Sequence, residues 1–238
     1  VFSSDAAMHT VSECLQIHGG SGFMKGLSLE QFYRDTRILP IFEGTNEILR
    51  LFISLVGIQH AGKHLGDLVK KLRTPMSNPI FAVQKMWERR KDDLDKPLLD
   101  LDLCSSVHPS LKSEADRLEY CVKRLKYAVE RSLQRYGHEI VEYQMILARI
   151  ADIAIDVYAY SCALSRASRS YCIGLRNASH ELDLVHCLGY DLTQRVKANV
   201  SEIDNCIDTG VMLRKLKVAD QVFKDKMYGA VHPLTRNW

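Results

Sequence analysis

Apolar side chains recur every three or four residues along most of this chain, which is the spacing of one face of an α-helix. The pattern predicts a helix capped by Ser3 or Ser4, a short helix near 29–35 and an apolar helix from Asn46 towards Arg73. Four further helices are predicted at about 111–136, 139–169, 179–200 and 211–228. The sequence lacks the strict alternation that is typical of strands. We therefore predict an all-α protein built from antiparallel helical bundles.

Two of the predicted helices are apolar on almost every side. The first runs from Asn46 to Ile58 and the second covers 139–169. A helix of this kind is expected to be buried among other helices. We therefore predict that the first lies inside a bundle and that the second lies at the centre of one.

The composition changes between Thr74 and Pro109. Four of the six prolines fall in this segment, together with the charged run KDDLDK. It predicts a linker or excursion at 74–109 between a helical domain at 1–73 and a second helical bundle at 110–238. The chain begins with Val1 inside a helical pattern, so we interpret it as the C-terminal part of a longer protein.

Charge and cysteine usage exclude several classes of protein. The formal net charge is only +3 and no long basic tract is present, which argues against nucleic-acid binding. The seven cysteines are scattered and never spaced C-x-x-C, a pattern that fits reduced thiols better than disulfides or zinc. His60 and His64 stand four residues apart without further ligands, so we predict no metal site.

The segment IFEGTNEILRLF places Glu43 between two apolar runs. An apolar pocket raises the pKa of a carboxyl group and makes it a stronger base. Gly44 allows close approach to the main chain, and the N–H groups of residues 43–47 would be free to bind an anion at a helix start. The alternative is a capping motif in a buried loop, with Glu43 as a local acceptor.

The segment QIHGGSGF, residues 16–23, raises the same choice. A glycine-rich turn at a helix end can hold a pyrophosphate group. The spacing is not G-x-G-x-x-G after a strand, so it is not a Rossmann fingerprint. A plain helix C-cap is the other interpretation.

Together, QIHGGSGF and YRDTRILPIFEGTNEILR (33–50) resemble the C-terminal signature of the flavin-dependent acyl-CoA dehydrogenases, in that family's order and spacing. Beyond them, VHPSL (107–111) and LSRASRS (164–170) resemble the very-long-chain branch, which carries an extra C-terminal domain. GIQHAGKHL (57–65) and IGLRNASHE (173–181) are most similar to the ninth family member, which also serves in the assembly of respiratory complex I.

The resemblance implies roles for specific residues. Glu43 would abstract the α-proton of a fatty acyl-CoA thioester while FAD takes the β-hydrogen as hydride, and the N–H of Glu43 would stabilise the developing enolate. The remaining implied contacts are Phe42 and Gly44 with the substrate, and Thr45, Asn46, Glu47, Gln16, Ile17, His18, Gly19 and Gly20 with FAD. In this family, the residues from Gln16 to Gly20 meet the cofactor across a subunit interface, which implies a homodimer.

Two departures from the family pattern stand out. FMKGLSLEQ (23–31) lacks the Tyr-Pro-containing loop of many relatives, and Glu47 occupies a position that is often Gln or Asp. The family's N-terminal helical and middle β-domains are not in this sequence, so the chain alone is expected to be inactive.

The resemblance also implies partners and a location. We expect a long-chain acyl-CoA substrate, transfer of electrons to an electron-transfer flavoprotein, and a mitochondrial location on the matrix side of the inner membrane. The alternative function is a scaffold for complex I assembly. The segment 78–91 combines apolar and basic side chains and predicts peripheral membrane association, with docking on its own bundle or on a partner as alternatives.

Overall fold

The computed structural model of the protein describes residues 1–73, 87, 90–227, 229 and 234, and every regular element among them is helical. This confirms the predicted all-α fold class. The α-helices are α1 (Phe2–Ile17), α2 (Gly19–Phe23), α3 (Leu29–Thr36), α4 (Asn46–Arg73), α5 (Lys112–Tyr136), α6 (Gln144–Cys172), α7 (Ala178–Thr209) and α8 (Val211–Asp225). Short 3-10 helices cover Lys25–Leu27, Leu103–Ser106, Pro109–Leu111 and Gly137–Glu142.

Helices α5, α6 and α7 form the main bundle. Helix α6 lies at its centre because it packs against α4, α5 and α7, as its nearly continuous apolar sequence predicts. Ile153 and Tyr160 on α6 are completely buried, and Leu164 is 2% exposed. The bundle core therefore forms from side chains of this chain alone.

Two carboxylates buried in the bundle have partners on its own helices. The carboxylate of Glu114 on α5 is 2% exposed and accepts a hydrogen bond from the Tyr160 hydroxyl at 2.8 Å. Its other oxygen lies 2.8 Å from Nδ1 of His186 on α7. Asp156 on α6, also 2% exposed, pairs with Arg195 on α7. These pairs join α5, α6 and α7 to one another. Sliding one helix past the next would leave a buried charge unpaired, which is strongly destabilising.

The second half of the predicted linker is docked on α5. The Leu101 N–H donates to Glu119 at 2.6 Å, and Arg124 donates to the Asp92 carbonyl, also at 2.6 Å. The first half, 74–86, lies outside the described residues. Of the predicted membrane segment, only Trp87, Arg90 and Lys91 are described. The domain boundaries stay a prediction.

The N-terminal region meets the bundle through α4. Ile58 is 8% exposed and belongs to the bundle core, and Leu51 packs against that core. The opposite side of α4 is open, with Ile48 59% and Phe52 65% exposed. The prediction that this helix lies inside a bundle is therefore wrong for the described chain, because α6 covers one face only.

Several helix ends differ from the predicted ones. Helix α1 begins at Phe2 without a side-chain cap, and the Ser4 hydroxyl donates to the Val1 carbonyl instead. The glycine-rich segment that was expected to form a turn at the end of α1 folds into α2. Helix α7 continues to Thr209 and stops where Gly210 adopts a left-handed φ of 64°. In the described part of the chain, no helix is both long and apolar enough to cross a membrane.

Candidate active site

Glu43 lies at the tip of a tight turn that precedes α4. The N–H groups of Ile41 and Phe42 both donate to the Ile38 carbonyl, at 2.9 and 3.0 Å. The chain then turns through left-handed conformations, with φ of 55° at Glu43 and 100° at Gly44. A residue with a side chain rarely adopts such a φ, and local backbone strain of this kind concentrates at functional sites.

The surroundings of Glu43 correct one expectation. Among the described residues no apolar pocket encloses its side chain, and Glu43, Gly44 and Phe42 are all exposed, Phe42 by 49%. The neighbouring apolar residues point outwards because the described chain covers only the other side of α4. The turn therefore presents its carboxylate on an open surface with apolar neighbours.

The turn also presents backbone donors. Within the described residues, no acceptor bonds to the N–H groups of Glu43, Gly44 or Thr45. Asn46 departs from the predicted run of free donors, because its N–H donates to the Pro40 carbonyl at 3.0 Å. The Thr45 hydroxyl accepts from the N–H of Ile48 at 3.4 Å and so caps α4.

The Asn46 side chain is buried and bonds to the start of α1. It is 2% exposed, and its amide nitrogen donates to Asp5 at 2.7 Å and to the Ser4 hydroxyl at 2.9 Å. It therefore joins the start of α4 to the start of α1, and its amide is not directed to the open side of the turn. Its contact with a cofactor stays untested.

Arg50, one helical turn after Asn46, extends this connection. Its Nη2 lies 2.5 Å from Asp5 on α1 and its Nε lies 2.7 Å from Asp152 on α6. Partial burial opposes the guanidinium charge, but the bonds to Asp152 and Asp5 outweigh it and raise the pKa of Arg50. The start of α4 is thus held from both sides by charge-assisted hydrogen bonds.

A cleft of about 600 Å³ lies where α1, α3 and the start of α4 meet. Two of the predicted cofactor residues, Thr45 and Glu47, line it. Sequence reasoning missed the others, which are Asp5, Met8, His9, Ser12, Tyr33, Arg37, Pro40 and Ile41. The spacing of Asp5, His9 and Ser12 on one face of α1 was the available signal, but nothing in the sequence showed which face would meet α4.

The second predicted cofactor segment lies at the other end of α1. Gln16, Ile17 and His18 are exposed, Ile17 by 82%. The His18 ring donates from Nδ1 to the Cys14 carbonyl at 2.9 Å and so completes the end of α1. None of the residues from Gln16 to Gly20 lines the cleft. The two cofactor segments therefore do not form a single site within the described chain.

The three glycines that follow are not equivalent. Gly19 has a left-handed φ of 54°. A Cβ on Gly22 would lie 2.5 Å from the Leu15 carbonyl oxygen, so Gly22 is required by local packing. A Cβ on Gly20 would meet nothing within 4 Å, which leaves its surface open to a ligand. The sequence did not single out Gly22, since tight packing against the preceding helix has no motif of its own.

Two family models match the chain. One, described as the ACAD9/ACADV C-terminal domain, matches residues 109–228, and the other, the acyl-CoA dehydrogenase C-terminal domain, matches residues 1–56. The chain belongs to the acyl-CoA dehydrogenase family. Its long C-terminal bundle is the domain that the very-long-chain enzymes share with the ninth family member.

Curated members of the family show the same relationship. The mitochondrial very long-chain specific acyl-CoA dehydrogenase of Rattus norvegicus is 37% identical over 86% of this chain and 31% of its own length. The Bos taurus protein of the same name is 35% identical over 91% of the chain and 33% of its own length. The chain therefore spans about a third of these acyl-CoA dehydrogenases.

A solved structure from the family has the same fold. An acyl-CoA dehydrogenase from Bacillus anthracis, described as complexed with FAD, superposes with a TM-score of 0.64. It is 26% identical, and the match covers 98% of this chain and 36% of that one.

Proposed function

We propose that this chain is the C-terminal part of an FAD-dependent acyl-CoA dehydrogenase that oxidises long-chain fatty acyl-CoA, with Glu43 as the proton-abstracting base. The observation that carries the proposal is the Glu43 turn. The backbone of Glu43 adopts a left-handed φ of 55° there. Its carboxylate stands beside backbone N–H groups that bond to no acceptor among the described residues. The positions of the turn and of α4 in the sequence coincide with those of the family signature.

The residues present fit FAD. Thr45 and Glu47 line an open cleft that also contains Arg37, a cation suited to a phosphate group. Gly20 offers an open backbone surface at the far end of α1. Because these two segments lie apart, we propose that the second serves the cofactor of another subunit in a homodimer.

The chemistry divides between the chain and the cofactor. FAD, when bound, supplies the acceptor for the β-hydrogen as hydride. The Glu43 carboxylate takes the α-proton, and the free N–H of Glu43 donates to the thioester carbonyl as negative charge develops on its oxygen. Phe42 and Gly44, which flank the carboxylate, would contact the acyl group. The acyl tail and flavin ring require protein surface beyond this chain, so the chain alone should not turn over.

The test replaces Glu43 by Gln in the full-length protein. FAD content and substrate binding should be kept, and turnover should fall by at least about a hundredfold, the scale for a lost general base. Glu13→Gln, an exposed glutamate on α1, is the matched control and should leave turnover unchanged. Near-normal turnover of the Glu43 variant would exclude Glu43, and Glu30 and Glu47 would be the next bases to test.

The alternative proposal is a scaffold for complex I assembly. Its support is the exposed apolar surface of α8, where Val218 is 65% and Phe223 77% exposed. Full-length protein that holds no FAD and fails to reduce an artificial acceptor with palmitoyl-CoA would favour the scaffold. Reduction would favour the dehydrogenase, with an electron-transfer flavoprotein as the physiological acceptor in mitochondria.

Association with the matrix side of the inner membrane through 78–91 is also a proposal. Its only described aromatic side chain, Trp87, is 68% exposed, and Lys91 Nζ lies 5.8 Å from the ring centre. Binding to cardiolipin-containing liposomes that is equal for wild type and Trp87→Ser/Phe81→Ser would contradict it.

A further inference from the structure

A continuous set of hydrogen bonds connects the C-terminal bundle to the Glu43 turn. It starts at Asp152 on α6, which accepts from Arg50 Nε at 2.7 Å. Arg50 Nη2 donates in turn to one oxygen of Asp5 at 2.5 Å. The other oxygen of Asp5 accepts from the Asn46 amide at 2.7 Å. Asn46 is the first residue of α4 and stands three positions after Glu43.

This connection fixes where α4 begins. The Asn46 side chain is 2% exposed and its N–H bonds to the Pro40 carbonyl, so the residues between them form a closed turn. Glu43 and Gly44, inside that turn, adopt left-handed φ values of 55° and 100°. Such a conformation persists only when the surrounding contacts determine it. Asn46 and Arg50 supply those contacts on the α4 side.

We infer that Asp152 is a positioning residue for the proposed base, which it holds through Arg50, Asp5 and Asn46. The inference rests on the proposed function for its catalytic consequence, although the hydrogen-bonded connection can be tested without activity. The C-terminal bundle contains no proposed catalytic residue. Through Asp152, it would nevertheless help to position the proposed base. A charge removed from α6 should loosen the turn that carries the carboxylate.

The first measurement is amide hydrogen exchange in Asp152→Asn. The N–H groups of Asn46 and Leu49, which bond to Pro40 and Thr45, should exchange about tenfold faster as the start of α4 opens locally. Asp152→Glu, which keeps the charge, should restore slow exchange. The control is Glu202→Gln, which removes an exposed charge 3.6 Å from Arg149 on the surface of the bundle. Unchanged exchange at Asn46 and Leu49 in Asp152→Asn would overturn the inference.

The second measurement is steady-state turnover of the full-length protein with FAD bound. Asp152→Asn should lower kcat about tenfold or more, since a misplaced catalytic group is costly, while KM and FAD content change little. Arg50→Gln should lower kcat to a similar extent. The double variant should lower it no further than either single variant, because both residues belong to the same set of hydrogen bonds. Faster exchange with unchanged kcat would overturn the positioning role. If wild-type protein shows no turnover, the proposed function fails, and exchange alone decides whether Asp152 holds the turn.

Discussion

The N-terminal helices and the C-terminal bundle differ in how far they bury their side chains. In the bundle, Tyr160, Ala128 and Val196 are completely buried, and polar Glu114 and Asp156 have partners there. In contrast, α1 and α3 contain no buried residue. A contiguous exposed apolar surface indicates a contact with other protein. The comparison teaches that the bundle buries a core of its own, whereas α1 and α3 leave their side chains at least partly exposed in the described chain.

The largest expected difference concerns single core side chains. Leu164→Ala in the bundle removes a side chain that is 2% exposed and should lower the free energy of unfolding by about 2–5 kcal/mol. Phe52→Ala on α4 removes a larger side chain that is 65% exposed and should change it by less than about 0.5 kcal/mol in this chain. Urea unfolding of both variants measures the contrast.

The same pair sharpens the comparison in the longer protein. If further protein covers α4, Phe52→Ala should become destabilising there while Leu164→Ala keeps its effect. Equal costs for the two variants in the isolated chain would show that the N-terminal helices have a core of their own.

Two glycines provide the next contrast. A Cβ on Gly189 would lie 2.6 Å from Tyr160 Cζ and 2.9 Å from a Glu114 oxygen, so Gly189→Val should cost about 3 kcal/mol through overpacking and the loss of buried hydrogen bonds. Gly20→Val meets open space and should leave thermal unfolding nearly unchanged. In full-length protein, however, Gly20→Val should lose FAD. Full flavin content in that variant would leave only the helix-end interpretation of Gly20.

A smaller effect depends on pH and separates a buried thiol of the bundle from an exposed one. Burial raises the pKa of the Cys121 thiol in the bundle to about 11. The thiol of the unfolded chain ionises at lower pH, so its contribution to stability is complete below about pH 9 and is lost as pH rises towards 11. The loss should be about 2 kcal/mol across that window. Cys121→Ala should flatten the alkaline decline in unfolding free energy, and the exposed Cys162→Ala should not.

The helices and the Glu43 motif could be predicted from the sequence because periodicity and a specific signature are local features. The sequence could not predict which element covers each helix. The apolar residues of α4 are nearly continuous, yet Ile48 and Phe52 are exposed. The role of Asn46 was equally hidden. The resemblance implied that Asn46 contacts the cofactor. Its hydrogen bonds to Ser4 and Asp5, more than forty positions away in the sequence, form only on folding.

The left-handed φ of Glu43 has a consequence for how such proteins diverge. Glycine would adopt the same backbone without strain, so Glu43→Gly should relieve roughly 1 kcal/mol while removing the carboxylate. Glycine also loses more conformational entropy on folding, by a similar amount, so the net change in the free energy of unfolding should be small. Position 43 can therefore exchange glutamate for glycine at little cost to the fold, so the stability of the turn does not by itself retain the carboxylate.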